Sequence, residues 1–147
     1  NIEQTDTWED IFNRIFLNFV EPKLPEDKPI VLYNYPKQIL CLAKELKGTP
    51  WRERWELYVN RIELANCYSE ETDSIKVKNL FETEYAKKVQ NPGVIPDIDS
   101  DYNLIFNRDF PDCSGVALGI DRLIMLLTGA PSIKGVILFP FSDIMKH

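Results

Sequence analysis

The stretch Cys113-Ser114-Gly115-Val116-Ala117-Leu118-Gly119-Ile120-Asp121-Arg122, continued by Leu123-Ile124-Met125-Leu126-Leu127, changes its period midway. From Gly115 to Gly119 small residues alternate with apolar ones, the period-2 pattern of a buried strand whose backbone something approaches closely. From Ile120 the apolar positions Ile120, Leu123, Ile124 and Leu127 recur at helical spacing, and Gly129 stands where such a helix would stop. A glycine-lined strand therefore feeds a helix whose first turn carries Asp121 and Arg122. That junction offers bare backbone, helix N-terminal amides and a guanidinium to an anionic ligand. Taken alone, the same pattern also describes a core strand and a core helix with glycines kept for packing. It is neither a dinucleotide fingerprint nor a P-loop, since no Gly-Lys-Ser/Thr follows.

Working back along the chain, Trp55, Leu57 and Val59 alternate with Glu56, Tyr58 and Asn60, and Ile62 and Leu64 alternate with Glu63 and Ala65. Two such runs joined by Asn60-Arg61 predict an antiparallel hairpin, although Asn-Arg is a poorer turn than Asn-Gly. With a two-residue loop, Val59 pairs with Ile62 and Tyr58 with Glu63. Glu56 and Glu63 then share a face as diagonal neighbours, about 7–8 Å apart at the backbone. Two carboxylates held so close repel unless a cation sits between them, and oxygen-only ligation suits Mg²⁺ shared with nucleotide phosphates. An exposed sheet face carrying solvated carboxylates reads the same way at this stage.

These two blocks carry a family resemblance. Gly-x-Ala-x-Gly-x-Asp-Arg-Leu, from Gly115 to Leu123, resembles motif 3 of the class II aminoacyl-tRNA synthetases in its lysyl-type form. Glu63-Leu64-Ala65-Asn66-Cys67-Tyr68-Ser69-Glu70-Glu71-Thr72-Asp73 resembles the Glu-Leu-Ala-Asn-Gly-Phe-x-Glu-Leu-Thr-Asp signature of the lysyl group, in the form found in the protein lysyltransferases of elongation factor P. Tyr33-Asn34-Tyr35-Pro36 with Leu42-Ala43-Lys44 is similar to a tyrosine/proline segment of the same enzymes. The resemblance implies an α+β fold, a class II antiparallel sheet flanked by helices, of which this is the C-terminal half.

It also implies roles. Arg122 would pack against ATP as the catalytic arginine, with Gly119, Glu63 and Leu64 bordering the nucleotide. Glu56 and Glu63 would hold Mg²⁺ on the ATP. Asn66 and Glu70 would contact the lysine substrate, the glutamate facing an ammonium, and Gly115 and Ala117 would line the amino-acid pocket. A carboxylate about 4 Å from an ammonium gains ~4 kcal/mol at an effective dielectric of 20, before desolvation is subtracted. Strict alternation sets Asn66 opposite Glu63, so the strand is expected to bulge or end near Ala65–Cys67. The chain departs from the pattern at Cys67, where the family has glycine, and at Glu71, where it has leucine; the first puts a thiol beside the pocket.

Ala117 bears on the branch. Lysyl-tRNA synthetases have glycine there and the elongation factor P enzymes alanine, which goes with β-lysine as substrate; one methyl on a pocket wall shifts discrimination by about 1–3 kcal/mol. Elongation factor P is therefore the expected acceptor, with tRNA as the alternative and a non-catalytic, ligand- or partner-binding paralogue as a third reading. Motif 1, which builds the dimer interface, and motif 2, which supplies an arginine to the α-phosphate, are not visible in residues 1–147. The expectation is a C-terminal portion of a catalytic domain, or a truncated relative, showing little adenylation by itself, with a homodimer for the full-length enzyme.

Composition bounds the rest. At 147 residues, 44% hydrophobic and 27% charged, the chain fits one soluble domain with a sizeable core. No apolar run is long enough for a bilayer and no leader is evident, so a cytoplasmic protein without membrane contact is expected. A net charge of −6 argues against a broad nucleic-acid face and is compatible with a cationic small substrate, or simply with solubility. Cys41, Cys67 and Cys113, in apolar surroundings without metal spacing, predict reduced, buried thiols. The sole histidine is His147, the last residue of the sequence, which argues against Ser-His-Asp and Cys-His chemistry.

Elsewhere, Trp8, Ile11, Phe12, Ile15, Phe16, Phe19 and Val20 predict one amphipathic helix, capped by Asp6 or Thr7 and ended by Pro22. Pro29–Pro36 reads as a strand and Gly48-Thr49-Pro50 as a turn. Asp73–Val89 reads as a helix with Ile75, Lys78, Asn79, Leu80 and Phe81 inward, Asp99–Phe110 as an acidic-capped helix, and Ile133–Phe141 as a last strand.

Overall fold

The computed structural model describes residues 6–90, 93–95 and 97–145. Four antiparallel strands lie in the order β1 (Ile30–Pro36), β2 (Trp51–Val59), β3 (Ile62–Ser69) and β4 (Ser114–Leu118). Helices α1 (Trp8–Ile15), α2 (Ser74–Val89), α3 (Ile120–Thr128) and the short α4 (Phe141–Ile144) complete the α+β fold. The described residues fall into two compact units, one drawn from Asn1–Leu32, Trp55–Asn66 and Val116–His147, the other from Tyr33–Arg54 and Cys67–Gly115. Among the described residues no helix is long and apolar enough to cross a membrane.

In the first unit, β2 and β3 form the predicted hairpin with a two-residue loop. Asn60 (φ 52°) and Arg61 (φ 61°) are both left-handed, as a type I′ turn demands. Arginine resists that conformation, and here it is tied down: Nε donates to the Leu24 carbonyl at 2.8 Å, and Nη1 lies 2.8 Å from Glu26 Oε1.

Thr7 is the cap of α1, in a reciprocal box with Asp10: the Thr7 hydroxyl accepts from Asp10 N at 3.2 Å, and the Asp10 carboxylate accepts from Thr7 N at 2.9 Å. The predicted single helix does not run regularly to Pro22. It opens into a π turn over Phe16–Val20 and tightens into a 3₁₀ turn over Glu21–Lys23. Pro22 has no N–H for the carbonyl one turn back, and its ring crowds that turn.

Two further expectations fail here. β4 is exposed, not buried, with Val116 62% accessible, and Ile120, Ile124 and Leu127 of α3 are exposed as well. The strand is last in the sheet order, so alternation of small and apolar residues reports the pleat and not burial. Gly129 does end α3, at φ 66°. Ile133–Phe141 contains no strand: a 3₁₀ turn covers Ile133–Gly135, capped by the Ser132 hydroxyl accepting from Lys134 N, and Phe141 already opens α4. An apolar run has no strand character without a neighbour to pair with, and Leu138 is 88% exposed.

In the second unit, the segment from Leu42 to Leu46 is pinned on both sides. Glu53 N donates to Lys44 O at 2.8 Å, Lys44 N to Ser69 O at 2.9 Å and Glu71 N to Leu42 O at 2.7 Å. Arg52, buried, fastens the loop before it, donating to Lys37 O (2.9 and 3.2 Å) and Ala43 O (2.9 Å). Arg52→Ala strips donors from both carbonyls and should lower the unfolding free energy in urea melts by about 2–4 kcal/mol, through loss of charge-assisted bonds and unsatisfied acceptors.

Asp73 caps α2, its Oδ1 accepting from Ile75 N at 2.9 Å and Lys76 N at 3.3 Å. Val77 is the buried residue of this helix, with Leu80 and Phe81 partly buried, whereas Ile75, Lys78 and Asn79 are exposed. Ile75 lies two residues from Val77, on the other side of a 3.6-residue turn, and cannot face inward with it. The predicted helix at Asp99–Phe110 shrinks to a 3₁₀ helix, Tyr102–Asn107, without a side-chain cap. It is held by aromatic edges: Phe81 on Tyr102 (5.2 Å), Tyr102 on Phe106 (5.8 Å) and Phe106 on Phe110 (4.9 Å). All three cysteines are free; Cys67 alone is buried, and Cys41 and Cys113 are partly exposed.

Candidate functional site

Of the bulge or end expected near Ala65–Cys67, the end is absent: β3 is continuous from Ile62 to Ser69. Burial nevertheless breaks strict alternation, with Leu64 and Ala65 both buried.

In the first unit, the strand-to-helix junction docks on β3. Gly119 N donates to Leu64 O at 2.9 Å, and Arg122 Nη1 donates to Glu63 O at 2.7 Å while lying 3.8 Å from Glu63 Oε2. Glu63, Leu64, Gly119 and Arg122 are thus together. A Cβ on Gly119 would stand 3.3 Å from Arg122 Cδ, so the glycine gives the guanidinium stem its room. Among the described residues Arg122 Nε and Nη2 have no protein acceptor, and the side chain is about half exposed.

Glu56 is buried, and the Tyr58 hydroxyl donates to its Oε2 at 2.9 Å. Burial pushes the Tyr58 phenol far above its usual range, followed by the bond to Glu56 and the charges of Glu56, Glu21 and Glu63. Tyr58 thus bonds Glu56 and also feels the charge of Glu63. No group of three or more metal-ligating side chains exists among the described residues. Two hard oxygen donors fit Mg²⁺ held jointly with phosphates and do not fit an all-protein cage. Asn66 Oδ1 is buried without a hydrogen-bond partner, a demand for a donor that the chain leaves unmet. Ala117 lies on β4.

In the second unit, Glu70 and Gly115 are in contact. A Cβ built on Gly115 would collide with Glu70 Oε1, so this glycine is the floor on which the carboxylate rests. Glu70 N donates to Cys113 O at 2.9 Å, and Lys44 pairs with Asp112 just before it. That ion pair raises the Lys44 pKa and lowers that of Asp112. Burial pushes the Glu70 carboxyl above its usual range, and among the described residues no cation or hydrogen-bond donor is seated on the carboxylate. Burial, then the Glu70 charge, raises the Cys67 thiol.

Tyr68 is raised by burial and by Glu70, with Arg54 opposing, which places an aromatic ring and a guanidinium in the same neighbourhood. Arg54 lies 4.6 Å over the Tyr35 ring. Sequence reading passed over Tyr35, Arg54, Tyr58 and Tyr68. For Tyr58 a signal existed, since it stands two residues from Glu56 on the same strand face. A cavity of about 250 Å³ in this unit is lined by Leu40, Cys41, Glu45, Arg52, Glu71 and Lys76, and by none of the predicted site residues.

Gly115→Ala should displace the Glu70 carboxylate while leaving the exposed strand β4 intact. A crystal structure of the variant should show the Glu70 carboxylate moved off position 115, with the far-UV circular dichroism unchanged.

Residues 13–143 match the family described as tRNA synthetases class II (D, K and N). The chain belongs to this class II family. Among its relatives, the lysine–tRNA ligase of Syntrophomonas wolfei is 39% identical over 132 residues, covering 89% of this chain and 26% of the relative. The lysine–tRNA ligase of Staphylococcus aureus is 37% identical over 143 residues, covering 95% of this chain and 28% of the relative. That of Bacillus thuringiensis is 38% identical over 150 residues, covering the whole chain and 29% of the relative. The class II chain thus spans little more than a quarter of the length of the curated relatives it matches.

Proposed function

We propose that this chain is the ATP- and lysine-binding part of a ligase that forms lysyl-adenylate. One observation carries the reading: Glu70, a carboxylate raised by burial and seated on Gly115 with no cation on it among the described residues, is built to receive an ammonium. In the other unit, Asn66 Oδ1 is buried and has no hydrogen-bond partner among the described residues. Arg122 would turn its Nε and Nη2 toward the nucleotide while Nη1 stays on Glu63 O. Glu56 and Glu63 would hold Mg²⁺ with the ATP phosphates, where the ion supplies charge neutralisation. The substrate carboxylate displaces pyrophosphate from the α-phosphate, a step served by positioning and electrostatics without a covalent protein nucleophile.

For the acceptor, Ala117 and the net acidity favour elongation factor P, with β-lysine as the amino acid. The names of the relatives, lysine–tRNA ligases, favour tRNA as the second reading. Full-length protein, ATP, Mg²⁺ and radiolabelled α- or β-lysine, offered elongation factor P or lysine tRNA, separate the two. The first reading expects label on elongation factor P and stronger pyrophosphate exchange with β-lysine. Label on tRNA with a preference for α-lysine overturns it in favour of the second.

A further inference from the structure

We infer that Tyr58 is a positioning residue for Glu56, its hydroxyl holding the buried carboxylate in the orientation that binds the nucleotide's divalent ion; this rests on the metal role proposed above for Glu56. The two side chains stand at i and i+2 on one face of β2, with the donor–acceptor distance 2.9 Å. Tyr58 is 3% exposed and Glu56 5%, so neither can exchange its partner for bulk water at small cost. A donor bonded to one carboxylate oxygen restricts rotation about the last bond of the side chain. The phenol meets Oε2 from the side chain's own strand, and a β-strand is the stiffest available mount for that contact.

The surroundings make the orientation matter. Glu63 and Glu21 both contribute negative charge at Tyr58, so Glu56 sits in an acidic neighbourhood, with Arg122 lying against Glu63. A donor that is neutral, as a phenol is, orients Glu56 without cancelling the charge that a cation would meet. Lysine or arginine at position 58 would satisfy the same oxygen and compete with the metal. Partners in this outer layer typically contribute 10–100-fold to metal affinity by fixing ligand geometry.

The test compares Tyr58→Phe, Glu56→Gln and the parent full-length protein, with Mn²⁺ as a paramagnetic reporter of the divalent site in the presence of ATP. Tyr58→Phe removes one oxygen and keeps the ring, and a thermal melt without metal checks that it folds. The expected result is Mn²⁺ binding weakened about 10–100-fold, with a changed Mn²⁺ resonance and a raised KM for Mg²⁺, while KM for lysine stays as in the parent. If Tyr58→Phe binds Mn²⁺ as the parent does while Glu56→Gln does not, the positioning role is wrong and the metal role stands. If Glu56→Gln also binds Mn²⁺ normally, the metal role of Glu56 has failed and the inference falls with it.

Discussion

Glu70→Gln is expected to raise the melting temperature of the unliganded protein at neutral pH while removing lysine binding. The carboxyl is pushed above its ordinary range by burial alone. A group with a raised folded-state pKa contributes stability below its unfolded pKa and loses it as the pH climbs through the folded value. At neutral pH the ionised Glu70 is therefore a cost to the folded state, and a neutral amide of the same shape relieves it. On the proposed reading bound lysine would reverse the balance, because an ammonium on the carboxylate would compensate the desolvation. Removing the charge should weaken lysine binding by about 10–100-fold, or more where water is excluded. The pH profile separates this from a packing effect. In the parent, lysine affinity should fall as the pH drops through the raised pKa, since protons compete with the ammonium; in Glu70→Gln that dependence should vanish. A variant that binds lysine normally, or melts lower, would show that Glu70 is a structural carboxylate.

Arg122→Ala should cost ATP binding about 10–100-fold in titrations with Mg·ATP, the range for losing charge-assisted hydrogen bonds, and leave lysine binding by Glu70 largely intact. The stability cost should be small, about 1–2 kcal/mol, because the one bond lost is from Nη1 to the Glu63 carbonyl on a half-exposed side chain. Arg122→Lys should not restore binding. An ammonium can reach the Glu63 carbonyl or the phosphates, but it cannot hold the carbonyl with one arm of a planar fork while offering the other. Recovery with lysine would mean that Arg122 supplies only a point charge.

The hairpin was legible because Trp55–Val59 and Ile62–Ala65 alternate cleanly and two polar residues separate them; the φ values of Asn60 and Arg61 then follow from the loop length. The junction at Gly119–Arg122 was legible because its period changes from two to 3.6 within a few residues. Burial was not. The exposed β4 and α3 carry the same patterns that buried elements carry, since periodicity encodes which face is apolar and not what covers it. Ile133–Phe141 fails for the same reason, an apolar run without a pairing partner.

In the site, the spacing from Glu56 to Glu63 was readable, and so was the strand face that Glu56 shares with Tyr58; that the phenol bonds the carboxylate required coordinates. Gly115 had a legible need for close approach; that the approaching group is Glu70 required coordinates. Asn34, at φ 60° inside β1, has a conformation no pattern announced.

A crystal structure of the full-length protein with ATP analogue and lysine or β-lysine tests the central claim most directly. The expected result is an ammonium within hydrogen-bond distance of the Glu70 carboxylate and the nucleotide against Arg122. Lysine bound elsewhere, with Glu70 facing only protein or water, would contradict the central claim.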